Sequence, residues 1–229
     1  AVYGIDLSRT YCYLIAGKSR SGKTNLLKVI MKSAAMRKGK IAVIDFGSEF
    51  LIPGESDMFE MIDTDEKLYK FLVRLEPDFV VRNKRKKANE KKGMADREIY
   101  DDMQTFEARF ILIANLTDFI THVMNPEGAM KVNLFVENLL DKGSLHNVYW
   151  MACYNQEDVG KTAGTKIYDL FLRYKTGIYF GGNVAGQRFM NFDYIPYSEQ
   201  TKVLKPGIGM LPANEEEDVR KVVIPLVKG

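Results

Sequence analysis

Eight consecutive residues near the start of the chain form a pattern that suits phosphate binding. The pattern is Gly-x4-Gly-Lys-Thr, made of Gly17, Lys18, Ser19, Arg20, Ser21, Gly22, Lys23 and Thr24. Glycines let a backbone approach a ligand closely and turn its N–H groups inward around phosphate oxygens. In such a loop Lys23 reaches the β- and γ-phosphates of a nucleotide, and the Thr24 hydroxyl is a ligand for Mg²⁺. We therefore predict that these residues bind ATP and Mg²⁺.

The segments on either side of this loop are the ones that a phosphate-binding loop requires. Residues 12–16 are an apolar run that predicts a buried strand, and apolar residues recur at helical spacing over 25–36. A helix beginning near Lys23 adds its N-terminal partial positive charge to the site. A glycine- and serine-rich turn with an incidental lysine is the alternative, but the strand–loop–helix context favours a nucleotide site.

The rest of the chain alternates between predicted strands and predicted helices. Further strands are predicted at residues 40–45, 59–62, 109–115, 147–153 and 176–181, and an edge strand at 219–227. Helices are predicted at 127–140 and 165–174, and a long helix from Asp65 is expected to end after Leu75 because Pro77 follows. This alternation predicts an α/β fold with a mostly parallel central sheet flanked by helices. The ligand is then expected at the carboxyl ends of the strands.

Length and composition limit the class of protein. The 229 residues suit one domain, 1–229, and no apolar run reaches the roughly 20 residues that span a bilayer. The net charge of +3 does not by itself indicate a nucleic-acid partner. Cys12 and Cys153 both lie in apolar runs and are expected to be buried thiols in a reducing compartment. Because the chain begins with Ala rather than Met, we expect a fragment of a longer protein.

Residues 82–92 are the most basic segment of the chain. They predict either a solvated helix-turn-helix excursion or a contact surface for an acidic partner or a neighbouring subunit. No aromatic residue is interleaved with these charges, which disfavours binding of single-stranded nucleic acid. The two histidines, His122 and His146, are expected in polar turns, and neither has a Cys or His partner at the spacing of a zinc site.

Taken together, these segments resemble the FtsK/SpoIIIE-type branch of RecA-like P-loop ATPases. The matching stretches are residues 13–25, 41–45, 110–119, 147–155, 176–180 and 207–212. Within that branch the chain looks most like a C-terminal ATPase domain of the EssC type, the coupling ATPases of type VIIb secretion systems. The resemblance implies one domain of a longer protein with tandem ATPase domains, anchored in the bacterial membrane and facing the cytoplasm.

The chain departs from that branch where the catalytic acids are expected. A translocase of this branch has Asp-Glu after the apolar run 110–113, the Asp for Mg²⁺ and the Glu for the attacking water. Here the residues are Ala114 and Asn115; Ala offers no ligand, and a neutral amide cannot accept the proton of water. Asp118 follows shortly and is expected to be structural or solvated. We therefore expect a pseudo-ATPase with weak or absent ATP binding and negligible hydrolysis.

A second departure lies at the next strand. That strand is expected to end in Ala-Thr-Gln, whose Gln senses the γ-phosphate, but this chain has Ala152-Cys153-Tyr154. Asn155 and Gln156 follow, and a shift of one residue moves a side chain to the opposite face of the sheet. Substitution of Asn155 or Gln156 for that Gln is one alternative, and polar loop residues at the surface are the favoured one.

The resemblance implies a module that regulates secretion or receives its substrates. The implied partners are other ATPase domains of the same chain, neighbouring subunits and secreted WXG-type helical proteins, with no nucleic acid. The alternative is an FtsK-like DNA translocase motor, and the loss of both acids argues against it. Polar residues among the aromatic rings of 189–197 predict an exposed contact surface, in which Tyr194 and Tyr197 are the candidate partner-binding residues.

Overall fold

The computed structural model describes residues 3–50, 58–125, 132–192, 195–212 and 221–227, and within them eight strands form one sheet. The strands are β1 (Cys12–Gly17), β2 (Lys40–Ile44), β3 (Glu60–Ile62), β4 (Arg109–Ile113), β5 (Val148–Asn155), β6 (Gly177–Phe180), β7 (Ile208–Met210) and β8 (Lys221–Val223). Their order across the sheet is β3-β2-β4-β5-β1-β6-β7-β8. All pairs from β3 to β6 are parallel, whereas β7 and β8 pair antiparallel. The predicted mostly parallel sheet is confirmed, including a tail strand at its edge.

Helices cover both faces of this sheet. They are α1 (Lys23–Met36), α2 (Asp65–Lys91), α3 (Asp96–Met103), α4 (Leu116–Val123), α5 (Asn133–Asp141), α6 (Val159–Thr162), α7 (Lys166–Arg173) and α8 (Tyr197–Gln200). Side chains of β1 alternate between two apolar clusters: Leu14 lies in the one that packs on α2, α4, α5 and α7, and Ile15 in the one that packs on α1. Burial on both faces explains why the strands read as continuous apolar runs.

The helix predictions are confirmed at α1 and α7, but two other boundaries differ. Helix α4 follows β4 directly and was not predicted, because its eight residues are too few for a clear helical repeat and begin right after the predicted strand 109–115. Of the helix predicted at 127–140, the structure contains α5 (Asn133–Asp141), and residues 126–131 lie outside the described residues.

The prediction that Pro77 ends the long helix is wrong, because α2 continues through it to Lys91. Proline removes one backbone donor and crowds the preceding turn. Leu75 and Phe79, on either side of Pro77, are both buried in the core. Their packing holds the helix together, so tertiary contacts override the local preference of proline.

Replacing Pro77 by Ala is expected to stabilise the protein. Pro77 is exposed, so alanine leaves no cavity and restores a backbone hydrogen bond in the helix. Proline in a helix interior costs about 3 kcal/mol relative to alanine, and part of this is offset because proline also restricts the unfolded chain. We expect about 1–2 kcal/mol of added stability in urea unfolding. The exposed neighbour Glu76→Ala is the control, and an unchanged or lower unfolding midpoint for Pro77→Ala would contradict the argument.

The basic segment 82–92 forms the end of α2, and a turn at Gly93 connects it to α3, so the predicted helix-turn-helix is confirmed. Its charges are mostly exposed, and Arg85 forms an ion pair with Asp102 of α3 at 2.6 Å. The expectation of a solvated segment is wrong for Arg82, which is 1% exposed and lies in the core.

The expectation of a polar turn is wrong for His122, and for His146 the turn is confirmed but the ring is buried. His122 lies in α4, where its ring stacks on Phe46 at 3.7 Å between centroids and its Nδ1 lies 2.7 Å from Asp65. His146 lies in a loop but is fully buried against Phe79. Burial lowers the pKa of His146 to about 4, so its ring is neutral at pH 7.

Candidate nucleotide-binding site

The loop between β1 and α1 can be formed only with glycine at its two ends. Gly17 and Gly22 have φ angles of 142° and 106°, which side chains rarely tolerate. A Cβ at Gly17 would lie 2.3 Å from the carbonyl oxygen of Phe180, and one at Gly22 would lie 2.9 Å from the backbone nitrogen of Gly207. The predicted strand–loop–helix arrangement is therefore confirmed, and both glycines are required by close backbone contacts.

Lys23 is buried at the base of this loop. Its Nζ donates hydrogen bonds to the carbonyl oxygens of Lys18 at 2.5 Å and Gly17 at 3.3 Å. Burial lowers the pKa of Lys23, while the nearby carboxylates of Glu157 and Glu49 oppose that shift. The ammonium group is thus held inside the loop, where the β- and γ-phosphates lie in loops of this kind.

The N-terminus of α1 points at the same loop. Its N-cap is Gly22, and no side chain among the described residues caps the first turn of this helix. The first backbone N–H groups of a helix have no partner within the helix and carry a partial positive charge. They are therefore available to bind phosphate oxygens.

A cleft of about 450 Å³ opens above the loop, at the carboxyl ends of β1, β4 and β5. Its described lining comprises Ser19, Arg20, Ser21, Gly22, Lys23, Thr24, Asn25, Glu49, Ala114, Asn115, Cys153 and Asn155. Six of the eight predicted binding residues are in this set. The other two, Gly17 and Lys18, form the base of the loop and accept the hydrogen bonds of Lys23. Nucleotide binding by these residues stays a prediction.

Ala114 and Asn115 line the cleft at the end of β4, where the catalytic acids were expected. Asn115 is the N-cap of α4, and its Oδ1 accepts hydrogen bonds from the backbone N–H groups of Thr117 and Asp118. Its Nδ2 donates to Oε1 of Glu49 at 3.2 Å. Position 115 therefore has a structural role, and it contacts a carboxylate that the sequence analysis did not single out.

The expectation that Asn155 is a surface loop residue is wrong. Strand β5 continues to Asn155, which pairs with Gly17 of β1 and lines the cleft. The alternation of the strand directs Cys153 to the same side and Tyr154 to the opposite side, where its hydroxyl lies 2.6 Å from Oγ1 of Thr162. Burial raises the pKa of Cys153 to about 12, so its thiol stays protonated.

Gln156 and Asp118 do not line the cleft. Gln156 accepts a hydrogen bond from the hydroxyl of Tyr179. Asp118 is partly buried, and burial together with the charge of Asp158 raises its pKa. Both are described residues outside the cleft lining, which agrees with a structural role for Asp118.

The contact surface predicted at 189–197 is only partly exposed. Phe189 and Phe192 are buried against Tyr179, so the expectation of exposure is wrong for them. Tyr194 lies outside the described residues. Tyr197 is 75% exposed at the start of α8, so it stays a candidate contact residue.

Comparison with known proteins found similarity to solved structures. No protein-family model matches the chain, and a search of curated proteins gave no match. The ATPases 2 and 3 of EssC from Geobacillus thermodenitrificans match with 18% identity and a TM-score of 0.72, covering 98% of this chain and 38% of that one. The cytoplasmic domain of EssC matches with 18% identity and a TM-score of 0.69, covering 94% and 39%.

A third match is to the ATPases 2 and 3 of Thermomonospora curvata EccC in complex with a signal sequence peptide. It has 12% identity and a TM-score of 0.70, and covers 98% of this chain and 38% of that one. The chain thus spans about two fifths of the length of each of these three structures. These similarities confirm the predicted P-loop ATPase fold and the resemblance in fold to EssC-type domains. Among the described residues, no helix combines the length and apolar character needed to span a bilayer.

Proposed function

We propose that this chain is a nucleotide-binding ATPase domain of a type VII secretion system. The observation that carries the proposal is the cleft in which Lys23, Thr24 and the N-terminus of α1 converge. It lies in a fold shared with EssC and EccC ATPase domains over 94–98% of the chain. The domain works beside other ATPase domains of the same chain, which is supported by the matched structures of ATPases 2 and 3, and beside neighbouring subunits. In the full protein it lies on the cytoplasmic side of the bacterial membrane.

Binding of Mg²⁺ fits the residues of the cleft only if ATP supplies most of the ligands. Within the described part of the chain, no three His, Cys, Asp or Glu side chains form a group that could hold a metal. Mg²⁺ is commonly bound through one or two protein oxygens together with substrate phosphates and waters. The Thr24 hydroxyl would be the protein ligand, and the ion would neutralise phosphate charge.

Hydrolysis in this domain is slow because Ala114 and Asn115 replace the expected acids. A positioned general base alone contributes roughly 10²–10⁴ in rate. ATP binding depends on the loop, Lys23 and Thr24, all of which are present. The domain therefore binds ATP as a regulatory ligand and turns it over little.

Calorimetric titration of ATP·Mg²⁺ into the isolated domain, with a sensitive phosphate-release assay beside it, tests this proposal. Saturable binding is expected, with phosphate release that is slow, well below one turnover per second, yet measurable above that of Lys23→Ala under single-turnover conditions. No saturation at millimolar ATP would overturn nucleotide binding. Release at several turnovers per second would overturn the pseudo-ATPase part and leave the binding part intact.

We also propose that the domain receives the signal segments of secreted WXG-type helical proteins. This part is supported by the EccC structure, which is in complex with a signal sequence peptide. In this chain Tyr197 offers a large, amphipathic side chain at the surface. Aromatic residues of this type often contribute much of the binding energy at interfaces.

Replacing Tyr197 by Ala is expected to weaken binding of such a peptide about 5- to 30-fold, since an interface anchor is worth about 1–2 kcal/mol. The melting temperature is expected to stay within about 2 °C because Tyr197 packs little against the core. Fluorescence anisotropy with a labelled C-terminal peptide of a WXG-type protein measures the affinity. Tyr69→Ala, which removes an exposed tyrosine on α2, is the matched control. Equal affinities for the Tyr197 and Tyr69 variants would exclude Tyr197 from the peptide site.

A further inference from the structure

We propose that Glu49 supplies the catalytic carboxylate that position 115 lacks and orients the attacking water during the slow hydrolysis of bound ATP. The proposal rests on the nucleotide binding proposed above. It goes further because it assigns the residual turnover to a residue that follows a different strand from the expected acids. Glu49 lies on the loop after β2, whereas Ala114 and Asn115 follow β4.

The hydrogen bond from Asn115 restrains the carboxylate of Glu49, whose side chain is exposed. Because Oδ1 of Asn115 accepts from the first turn of α4, the orientation of its amide is settled, and Nδ2 is directed at Glu49. Oε1 of Glu49 lies 3.2 Å from that nitrogen. A carboxylate therefore sits within one hydrogen bond of the side chain that replaces the expected glutamate.

The backbone of Glu49 is also held by hydrogen bonds. Asp45, which follows β2 and is buried, accepts hydrogen bonds from the N–H groups of Glu49 at 3.0 Å and Phe50 at 2.6 Å. Phe50 is fully buried and anchors the loop in the core. Asp45 thus holds the backbone of Glu49, and the hydrogen bond from Asn115 directs its exposed side chain along the cleft, which is the kind of positioning that catalysis requires.

The cleft offers no other base among the described residues that line it. Glu49 is the one acidic side chain in that lining. Cys153 stays protonated because burial raises its pKa to about 12. Lys23 is a cation bound to loop carbonyl groups, and Asn115 and Asn155 are neutral amides that cannot accept a proton. The negative charge of Glu49 also raises the pKa of Lys23, so the two groups lie close enough to interact within the same cleft.

In the proposed step, the water oxygen bonds to the γ-phosphorus as the bond from that phosphorus to the β–γ bridging oxygen breaks. The bonding electron pair leaves with the bridging oxygen on ADP, and one water proton passes to the Glu49 carboxylate. Lys23 offsets the negative charge on the phosphates. No further reactant is needed.

Glu49→Gln tests the role of the carboxylate, because it keeps the size of the side chain and removes its ability to accept a proton. We expect phosphate release under single-turnover conditions to fall about 100-fold or more, the range of a lost general base. The affinity for ATP is expected to stay within threefold. Glu49→Asp, which keeps a shorter carboxylate, is expected to release phosphate at an intermediate rate.

Glu157→Gln is the matched control. Glu157 also places a negative charge near Lys23, yet it does not line the cleft. Its release rate is expected to equal that of the wild type. A Glu49→Gln variant that binds ATP and releases phosphate at the wild-type rate would overturn the proposal. A wild-type protein that binds ATP but releases no more phosphate than Lys23→Ala would also overturn the Glu49 proposal. Absence of ATP binding would instead overturn the proposed function itself.

Discussion

Replacing Lys23 by Ala is expected to lower the affinity for ATP about 10- to 100-fold. Hydrogen bonds to charged groups contribute about 1.5–3 kcal/mol, and about 1.4 kcal/mol corresponds to a factor of ten in affinity. Lys23 is held in the loop by the carbonyl oxygens of Gly17 and Lys18, so its ammonium group is already in place for a phosphate. Calorimetric titration of ATP·Mg²⁺ into both proteins measures the change.

Lys28→Ala is the control for this experiment, because it removes the same charge from α1 outside the described cleft lining. Its affinity for ATP is expected to stay within twofold of the wild type. The melting temperature of Lys23→Ala is expected to change little because two effects oppose each other. The variant loses the hydrogen bonds of Lys23, but it also removes the free-energy cost of burying a charge, which is the cost that lowers the pKa of Lys23. Equal affinities of Lys23→Ala and the wild type would show that ATP, if bound, does not use this loop.

Local sequence patterns were sufficient to predict the centre of the fold and the loop of the site. The strands β1, β2, β4 and β6 are buried on both faces, so their apolar runs are unambiguous. The spacing of Gly17, Gly22, Lys23 and Thr24 reflects backbone geometry that few other sequences adopt. These features depend on neighbours in sequence, which is why they could be predicted without a structure.

The features that the sequence analysis missed depend on contacts between distant segments. Glu49 and Asn115 are 66 residues apart, and their hydrogen bond exists only because β2 and β4 are neighbours in the sheet. Asn155 lines the cleft because β5 continues along β1 past the last strongly apolar residue. Pro77 is tolerated because Leu75 and Phe79 are buried. In each case tertiary packing outweighs the local preference.

Replacing Arg82 by Ala is expected to destabilise the protein by about 2–5 kcal/mol, because about 1–3 kcal/mol is lost for each buried carbonyl group left without a hydrogen bond. Arg82 is 1% exposed, and its Nε donates to Asp78 at 2.9 Å. Its other nitrogens donate to the carbonyl oxygens of His146, Asn147 and Glu107 at 3.0, 3.3 and 2.8 Å. Alanine removes this donor from the carbonyl oxygens of His146 and Glu107 and opens a cavity, whereas Asn147 and Asp78 keep hydrogen bonds from Arg109.

Urea unfolding measures this loss, and Arg82→Lys is expected to recover only part of it because an ammonium group cannot form the same fork of hydrogen bonds. Arg85→Ala, three residues further along α2, breaks an exposed ion pair with Asp102 and is expected to cost far less. Glu107 and Asn147 lie just before β4 and β5, at the opposite end of the strands from the cleft. Arg82→Ala is therefore expected to keep its ATP affinity at temperatures where it is folded. A loss of stability no larger than that of Arg85→Ala would mean that water can satisfy these carbonyl groups, and that Arg82 does not link α2 to the sheet.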